Sequence, residues 1–202
     1  DLHRVDRRQR SDVYKRQGRI DLTVGYGIVM WHILAISLQT VYGFDWPVAV
    51  LVVLALGALL GLVNGMLVEI AQIDSFIATL GTGTVLYALA MWHTGGRQVI
   101  GTLPVAFTSI FSTSLFGLPI ATTYVIVLAI VLWIAADYLP IGRYFYAIGA
   151  NPRAAALNGI PTRRYVMLAF VGSGVLTAFA GVVLAAKPVS YTHLTLPTIY
   201  SV

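Results

Sequence analysis

The chain of 202 residues contains no cysteine and little charge. The absence of cysteine excludes a scaffold stapled by disulfides and any metal site built on thiolates. Charged residues make up 10% of the chain and hydrophobic residues 58%, whereas a soluble domain carries about 25% charged residues. This composition is far from that of a soluble globular domain.

Both ends of the chain are polar and do not fit the interior. "DVYKRQ" (residues 12–17) can be encoded by DNA whose complementary strand, shifted by two bases, encodes "VSYTHL" (residues 189–194). The same relation joins the opening "DLHRVDRRQR" to the closing "TLPTIYSV". We therefore expect residues 1–17 and 189–202 to be non-native tails, translated from one adapter read in opposite directions, and residues 18–188 to be an internal fragment.

The front tail also accounts for most of the positive charge. It holds six of the 13 Lys and Arg residues and three of the 8 acidic residues, so it carries +3 of the formal charge of +5. No segment of the interior interleaves aromatic side chains with Lys and Arg. The basic balance therefore does not indicate nucleic acid as a partner.

The interior is organised by runs without charged residues. They cover residues 22–44, 46–68, 75–96, 98–136 and 165–186. A bilayer core needs about 20 apolar residues of helix, because no water is present to satisfy exposed backbone groups. We predict an all-α, polytopic membrane protein with about five transmembrane helices, at residues 23–43, 47–70, 76–93, 120–138 and 165–186. The first half of the long fourth run, rich in Ser, Thr, Gly and Pro, is interpreted as an interfacial or partly re-entrant loop.

The segment 140–164 fixes the expected orientation. It contains four arginines, and Arg19 falls on the same side of the membrane, whereas Arg97 and Lys187 fall on the other. Because short cytoplasmic loops carry an excess of Lys and Arg, we expect this segment to be cytoplasmic.

Glycines predict where helices pack. Small residues let two membrane helices approach closely. Gly57, Gly61 and Gly65 recur every four residues and form one stripe. In the last predicted span the corresponding glycines are Gly172, Gly174 and Gly181.

The segment "GRYFYAIGANPRAAALNGIPTRRY" (residues 142–165) predicts a short, self-capped helix. Asn151 suits the N-cap and Pro152 the first helical position. Gly159 can adopt the left-handed conformation that ends a helix, and Pro161 prevents its continuation. A helix of two turns with small side chains offers a compact knob that a cleft in another protein can receive. A connector lying on the membrane surface is the alternative.

Several motifs, in order along the chain, resemble the permease subunits of ABC importers for ribose and similar simple sugars. The most specific is "GRYFYAIGANPRAAALNGI"; the others are "GRIDLTVG" (18–25), "GLVNGMLV" (61–68), "FIATLGT" (76–82), "TGGR" (94–97) and "SGVLTAFAGVVLAAK" (173–187). In "GRIDLTVG", Arg19 stands where the family usually has Gly and Thr23 where it has Ser. The resemblance covers residues 18–187, so residues 18–188 resemble a partial ABC permease transmembrane domain.

This resemblance implies a multi-pass protein of the bacterial plasma (inner) membrane that works with other subunits. The expected partners are a cytoplasmic ATP-binding subunit, a periplasmic or lipid-anchored sugar-binding protein, a second permease copy in a homodimer, and the lipid bilayer. No cofactor and no catalytic residue is expected, since the chain lacks the G-x-x-x-x-G-K-[ST] loop of ATPases. The short helix would be the coupling helix that docks in the ATPase, formed by Asn151, Pro152, Arg153, Ala154, Ala155, Ala156, Leu157, Asn158 and Gly159.

Polar residues within the spans are candidates for the translocation pathway. We single out Asp21, Asn64, Thr79, Thr82 and Thr84. Helix capping is the alternative for Asp21, because it stands at the start of a span, and interhelical hydrogen bonding is the alternative for Asn64. Glu69 and Asp74 are expected to be solvated. His32 and His93 lack a partner at metal-ligand spacing, so no metal site is expected.

Other functional classes fit less well. A branched-chain amino-acid permease would have a similar architecture. The residues of "TGGR" and of the 146–160 segment favour the sugar type. A secondary transporter would more often carry charges within its middle spans for ion coupling. A membrane enzyme would need clustered histidines and carboxylates, which the sequence does not offer.

Overall fold

A computed structural model of the chain describes residues 19–97, 99, 103–115 and 118–186. The predicted tails and Lys187 lie outside these residues. The helices are α1 (Thr23–Thr40), α2 (Trp46–Glu69), α3 (Ser75–Thr94), α4 (Val105–Ser112), α5 (Ile120–Asp137), α6 (Pro140–Ala150), α7 (Pro152–Leu157) and α8 (Thr162–Ala185). Strands β1 (Ser114–Leu115) and β2 (Leu118–Pro119) form a short antiparallel ladder in which Ser114 faces Pro119.

The prediction of an all-α, polytopic membrane fold is confirmed. Within the described part of the chain, α2, α3, α5 and α8 are long and apolar enough to cross a membrane. Helix α1 is not among them, although it occupies the first predicted span. It is 18 residues long and carries His32, Ser37 and Gln39, which lower its apolar content. The fifth span therefore stays a prediction.

Four of the helices form a bundle. Helices α3 and α8 each pack on both α1 and α2, which also pack on each other, and the most extensive contact is between α2 and α8. The starts of α1, α3 and α8 and the end of α2 lie at the same end of the bundle, as contacts among residues 19–22, Glu69, Ser75 and Met167 show. Helix α7 lies at this end too, because its Ala155 is buried in one cluster with Val68 and Ala78. We call it the α7 end.

Glycines bring the α2 and α8 backbones into direct contact. A Cβ atom at Gly61 would stand 2.2 Å from the carbonyl oxygen of Phe170, and one at Gly174 would stand 2.1 Å from that of Gly57. A Cβ at Gly65 would stand 3.1 Å from the Met167 Cα. No side chain fits at the first two of these approaches, so the helices meet there through their main chains. We call this contact the glycine seam.

The two remaining glycines that were predicted to pack behave differently. Gly181 lies against α1, where an added Cβ would stand 2.7 Å from the Cβ of Trp31. Gly172 has nothing within 4 Å of such an atom and is exposed. Gly172 therefore packs on no other helix within the described part of the chain, because a step of two residues along α8 turns it away from the direction in which Gly174 meets α2.

Residues 104–119 contain a helix where a loop was predicted. Pro104 precedes α4 and cannot continue a helix toward its amino side, so the eight residues after it start a new one. Phe107 is fully buried and lies 6.4 Å, between ring centroids, from Trp46 of α2. It belongs to a core cluster with Trp31, Val53 and Val182. Helix α4 is thereby fixed to the end of the bundle opposite to the α7 end.

Helix α5 stands apart from the bundle. It packs against α4, α6 and the short ladder. None of its residues is buried, although the whole helix is apolar. A helix with an apolar surface on all sides is stable when lipid or another membrane helix surrounds it.

We expect the variant Gly174→Ala to be destabilised, because its Cβ would overlap the carbonyl oxygen of Gly57 and force α2 and α8 apart. The expected cost is about 1–3 kcal/mol, measured as a lower midpoint of thermal unfolding in detergent. Gly172→Ala on the same helix is the matched control and is expected to keep or raise the midpoint, because Ala favours helix more than Gly does. Equal losses in both variants would contradict the seam.

Candidate functional site

The carboxylate of Asp21 connects the start of α1 to α8. Its Oδ1 accepts hydrogen bonds from the Thr23 backbone N–H at 3.0 Å and from the Thr23 hydroxyl at 2.5 Å. Its Oδ2 accepts a bond from the Ser173 hydroxyl at 2.6 Å. The first bond satisfies a backbone donor that the first helical turn leaves free, which is the capping alternative for this residue. The last bond ties that turn to α8.

Asn64 connects α2 to two other helices. Its side chain is fully buried. The Oδ1 atom accepts a bond from the Thr82 hydroxyl on α3 at 2.8 Å, and the amide nitrogen donates to the Thr23 hydroxyl on α1 at 3.4 Å. Both bonds run between helices, which is the alternative stated for Asn64. An unbroken series of hydrogen bonds therefore links Thr82, Asn64, Thr23, Asp21 and Ser173.

Residues 19–22 are not helical, and α3 supplies hydrogen-bond partners for their backbone. The Ile20 N–H donates to the Ser75 hydroxyl at 3.3 Å, and the Leu22 N–H donates to the Thr79 hydroxyl at 3.1 Å. The Thr79 hydroxyl itself donates to the Ser75 carbonyl at 2.7 Å. Non-helical backbone at the edge of a membrane is tolerated only where the protein satisfies it. Thr79, fully buried, performs that task.

Four of the five residues that were predicted to line a pathway thus come together at the α7 end. Thr84 does not join them: it is exposed, and its hydroxyl bonds to the Gly81 carbonyl on its own helix. Thr23 and Ser173 were missed, although each stands in a quoted motif and Ser173 directly precedes the packing glycine Gly174. We call the following set the polar cluster: Asp21, Thr23, Asn64, Thr79, Thr82 and Ser173.

An ion pair between an exposed arginine and a buried carboxylate flanks the polar cluster. Glu69 is only 4% exposed and pairs with Arg19, whose side chain is 37% exposed. The expectation that Glu69 is solvated is wrong, because the non-helical segment 19–22 lies across the end of α2 and covers it. Asp74 is exposed as expected, and its carboxylate caps α3 by accepting from the Phe76 N–H at 2.9 Å.

Helix α7 has the local structure that the sequence predicts. The Asn151 Oδ1 accepts from the backbone N–H groups of Arg153 and Ala154, both at 3.1 Å. Pro152 occupies the first helical position, and Gly159 has a left-handed φ of +80°. The preceding residues, predicted as a loop, form helix α6 instead.

The two faces of α7 differ in what they contact. Ala155 is 4% exposed and packs with Ile148 and Val166 against the bundle, so it is the attachment of α7 to its own chain. Leu157 is 84% exposed. The exposed residues of the predicted coupling segment, which are available to a partner, are Asn151, Pro152, Arg153, Ala156, Leu157, Asn158 and Gly159; Ala154 is half-buried.

Histidines do not gather into a metal site. Within the residues that the structure describes, no group of three His, Cys, Asp or Glu side chains could hold a metal ion. His93 lies at the end opposite to the α7 end, where its Nε2 stands 3.0 Å from the Ser37 hydroxyl and its ring stacks on Tyr42.

Comparison with known proteins gives similar permease proteins, among them the following three. The chain is 32% identical over 173 residues to the ribose import permease protein RbsC of Haemophilus influenzae, covering 83% of this chain and 53% of the relative. It is 29% identical over 168 residues to the D-allose transport system permease protein AlsC of Escherichia coli K12, covering 83% and 51%. It is 31% identical over 176 residues to the autoinducer 2 import system permease protein LsrD of the same strain, covering 84% and 52%.

The chain therefore spans about half the length of the curated relatives it matches. No solved structure gives a significant match. Residues 13–202 match the family described as branched-chain amino acid transport system / permease component. Together with its long apolar helices, this match makes the chain a multi-pass protein of the bacterial inner membrane. It belongs to the permease family of that description.

Proposed function

We propose that this chain is part of the membrane permease of an ATP-driven importer that moves a monosaccharide into the cell. Two of the relatives quoted above are named as permease proteins of ribose import and of D-allose transport, which supports a sugar as the substrate. The family description keeps a branched-chain amino acid as the second candidate. Uptake of labelled ribose, allose and leucine by cells that carry the completed permease and its neighbouring transport genes distinguishes the two.

The observation that carries the proposal is the exposed, capped helix α7. A helix of six residues is unstable by itself in water, yet α7 is held by an N-cap, a left-handed glycine and the burial of Ala155. Such support is useful where the opposite face must present a fixed shape to a partner. We assign that face, around Leu157, to the groove of a cytoplasmic ATP-binding subunit, which would perform the nucleotide hydrolysis.

The remaining partners follow from the same assignment. A periplasmic or lipid-anchored sugar-binding protein would deliver the substrate to the end of the bundle opposite to the α7 end. A second permease copy would complete the pathway. The unburied, apolar surface of α5 supports pairing of two copies, because the described part of this chain leaves it uncovered.

We further propose that the polar cluster closes the pathway at the α7 end. Its side chains are satisfied by one another and by nearby backbone groups, so they hold the helices together here and do not line an open channel. Rigid-body movement of membrane helices between two packed states is a common route to alternating access. Opening toward the cytoplasm would then require the bonds from Asp21 and Asn64 to exchange partners. Thr84, on the exposed surface of α3, has no place in this closure.

In the completed permease with its ATP-binding subunit, we expect Leu157→Cys to crosslink to cysteines placed along the subunit's groove. Ala155→Cys is the matched control two residues away and is expected to give no adduct, because Ala155 faces Val166 and Ile148. Adduct formation is read on denaturing gels. Crosslinking of Ala155→Cys without Leu157→Cys, or of neither, would remove the assignment of α7.

We expect Asp21→Asn to weaken the α7 end. The carboxylate accepts three hydrogen bonds, and an amide, which offers one oxygen, leaves the Ser173 or Thr23 donor without an acceptor. Leaving a buried donor unpaired costs about 1–3 kcal/mol, measured as a lower unfolding midpoint and as faster hydrogen exchange in residues 20–23. Asp45→Asn is the control, since Asp45 precedes α2 but makes no side-chain cap bond. Unchanged hydrogen exchange of residues 20–23 in Asp21→Asn would contradict the role of the polar cluster in closing the pathway.

A further inference from the structure

Aromatic side chains mark the depth at which α5 leaves the membrane. Trp133 and Tyr138 meet edge to face, with ring centroids 6.0 Å apart, and are 56% and 71% exposed. Exposed Trp and Tyr near the end of an apolar helix are typical of the headgroup layer. Helix α6 begins at Pro140, two residues after Tyr138. It therefore starts at the surface of the bilayer, held there by α5 before it and α8 after it.

Helix α6 has one face on the protein and one face away from it. Tyr144 and Phe145 contact Tyr165 of α8, at ring-centroid distances of 5.1 and 5.9 Å, and Ile148 is buried on the same side. Arg143 and Tyr146, three residues apart, share the other side. Both are exposed, Tyr146 by 63%. An arginine and a tyrosine combine an apolar body with a polar tip, which suits a side chain lying among lipid headgroups.

The charge in this region has one sign. Asp137 is the last acidic residue of the sequence, so segment 138–164 contains arginines and no acid. Arg143, Arg163 and Arg164 are exposed and make no ion pair within the described part of the chain. The packing of Tyr144 on Tyr165 brings the neighbours of these two residues, Arg143 and Arg164, to the same end of the molecule.

We propose that Arg143, Tyr146, Arg163 and Arg164 form a collar that binds the phosphate-bearing headgroups of anionic phospholipids. The location at headgroup depth and the excess of positive charge both favour a lipid surface. A docking protein could also bind these four residues. We assign protein docking to a different surface, the exposed face of α7 around Leu157. The collar lies on α6 and at the start of α8. Its function is to hold these two elements on the bilayer surface, so that α7 stays at a fixed distance from that surface.

The test uses the full 202-residue chain in nanodiscs of phosphatidylcholine with a small, fixed fraction of phosphatidylglycerol. Lipids that stay bound are counted by native mass spectrometry. We expect the original chain to retain phosphatidylglycerol selectively and the variant Arg143→Gln/Arg164→Gln to retain it at least about tenfold less, since each basic residue near an anionic surface contributes about 1 kcal/mol. Arg97→Gln, at the opposite end of the bundle, and Arg153→Gln, on α7, are the matched controls and are expected to keep the selectivity.

Three outcomes would overturn the proposal. The first is that the double variant retains phosphatidylglycerol like the controls. The second is displacement of the lipid by millimolar inorganic phosphate, and the third is a double variant that keeps the lipid but loses binding to the ATP-binding subunit. Unfolding midpoints in pure phosphatidylcholine separate loss of binding from loss of fold. We expect the same midpoint for all variants, because every substituted arginine is exposed.

Discussion

The main-chain contact between α2 and α8 is the constraint on which the rest of the structure depends. At Gly57, Gly61 and Gly174 the two backbones approach so closely that no side chain fits between them. In a membrane, lipid tails are as apolar as Leu, so close packing replaces the hydrophobic effect as the force that joins helices. The approach fixes the rotation of both helices. That rotation brings Asn64 toward α3 and Ser173 toward Asp21.

The polar cluster can be buried only because this packing brings hydrogen-bond partners from different helices together. Buried polar groups destabilise a protein unless each finds a partner, and here the partners come from four different helices. The cluster in turn holds the non-helical residues 19–22, which cover Glu69. Ala155 is buried against the same end of the bundle. Helix α7 is therefore packed on the same end of the bundle as the polar cluster.

The long apolar helices and the cap of α7 could be predicted from the sequence because these features are local, whereas α4 and α6 were predicted as loops. Runs of apolar residues predict the spans, and the order Asn151, Pro152, Gly159 predicts where a short helix begins and ends. Sequence reasoning failed where a third element decides the environment. Glu69 is buried because residues 19–22 cross over it, and Gly172 is exposed because of the rotation of α8. The face of α7 that carries Ala155 likewise depends on the position of α6 and α8. No local pattern contains that information.

The central claim is that α7 presents its exposed face to the cytoplasm. The most direct measurement is labelling of Leu157→Cys by a membrane-impermeant maleimide, in intact spheroplasts and in inside-out vesicles; the chain has no other cysteine to interfere. The account predicts labelling in inside-out vesicles and protection in spheroplasts, with the opposite pattern for Arg97→Cys at the other end of the bundle. Labelling of Leu157→Cys from outside the cell would contradict it, because no ATP-binding subunit could then reach α7.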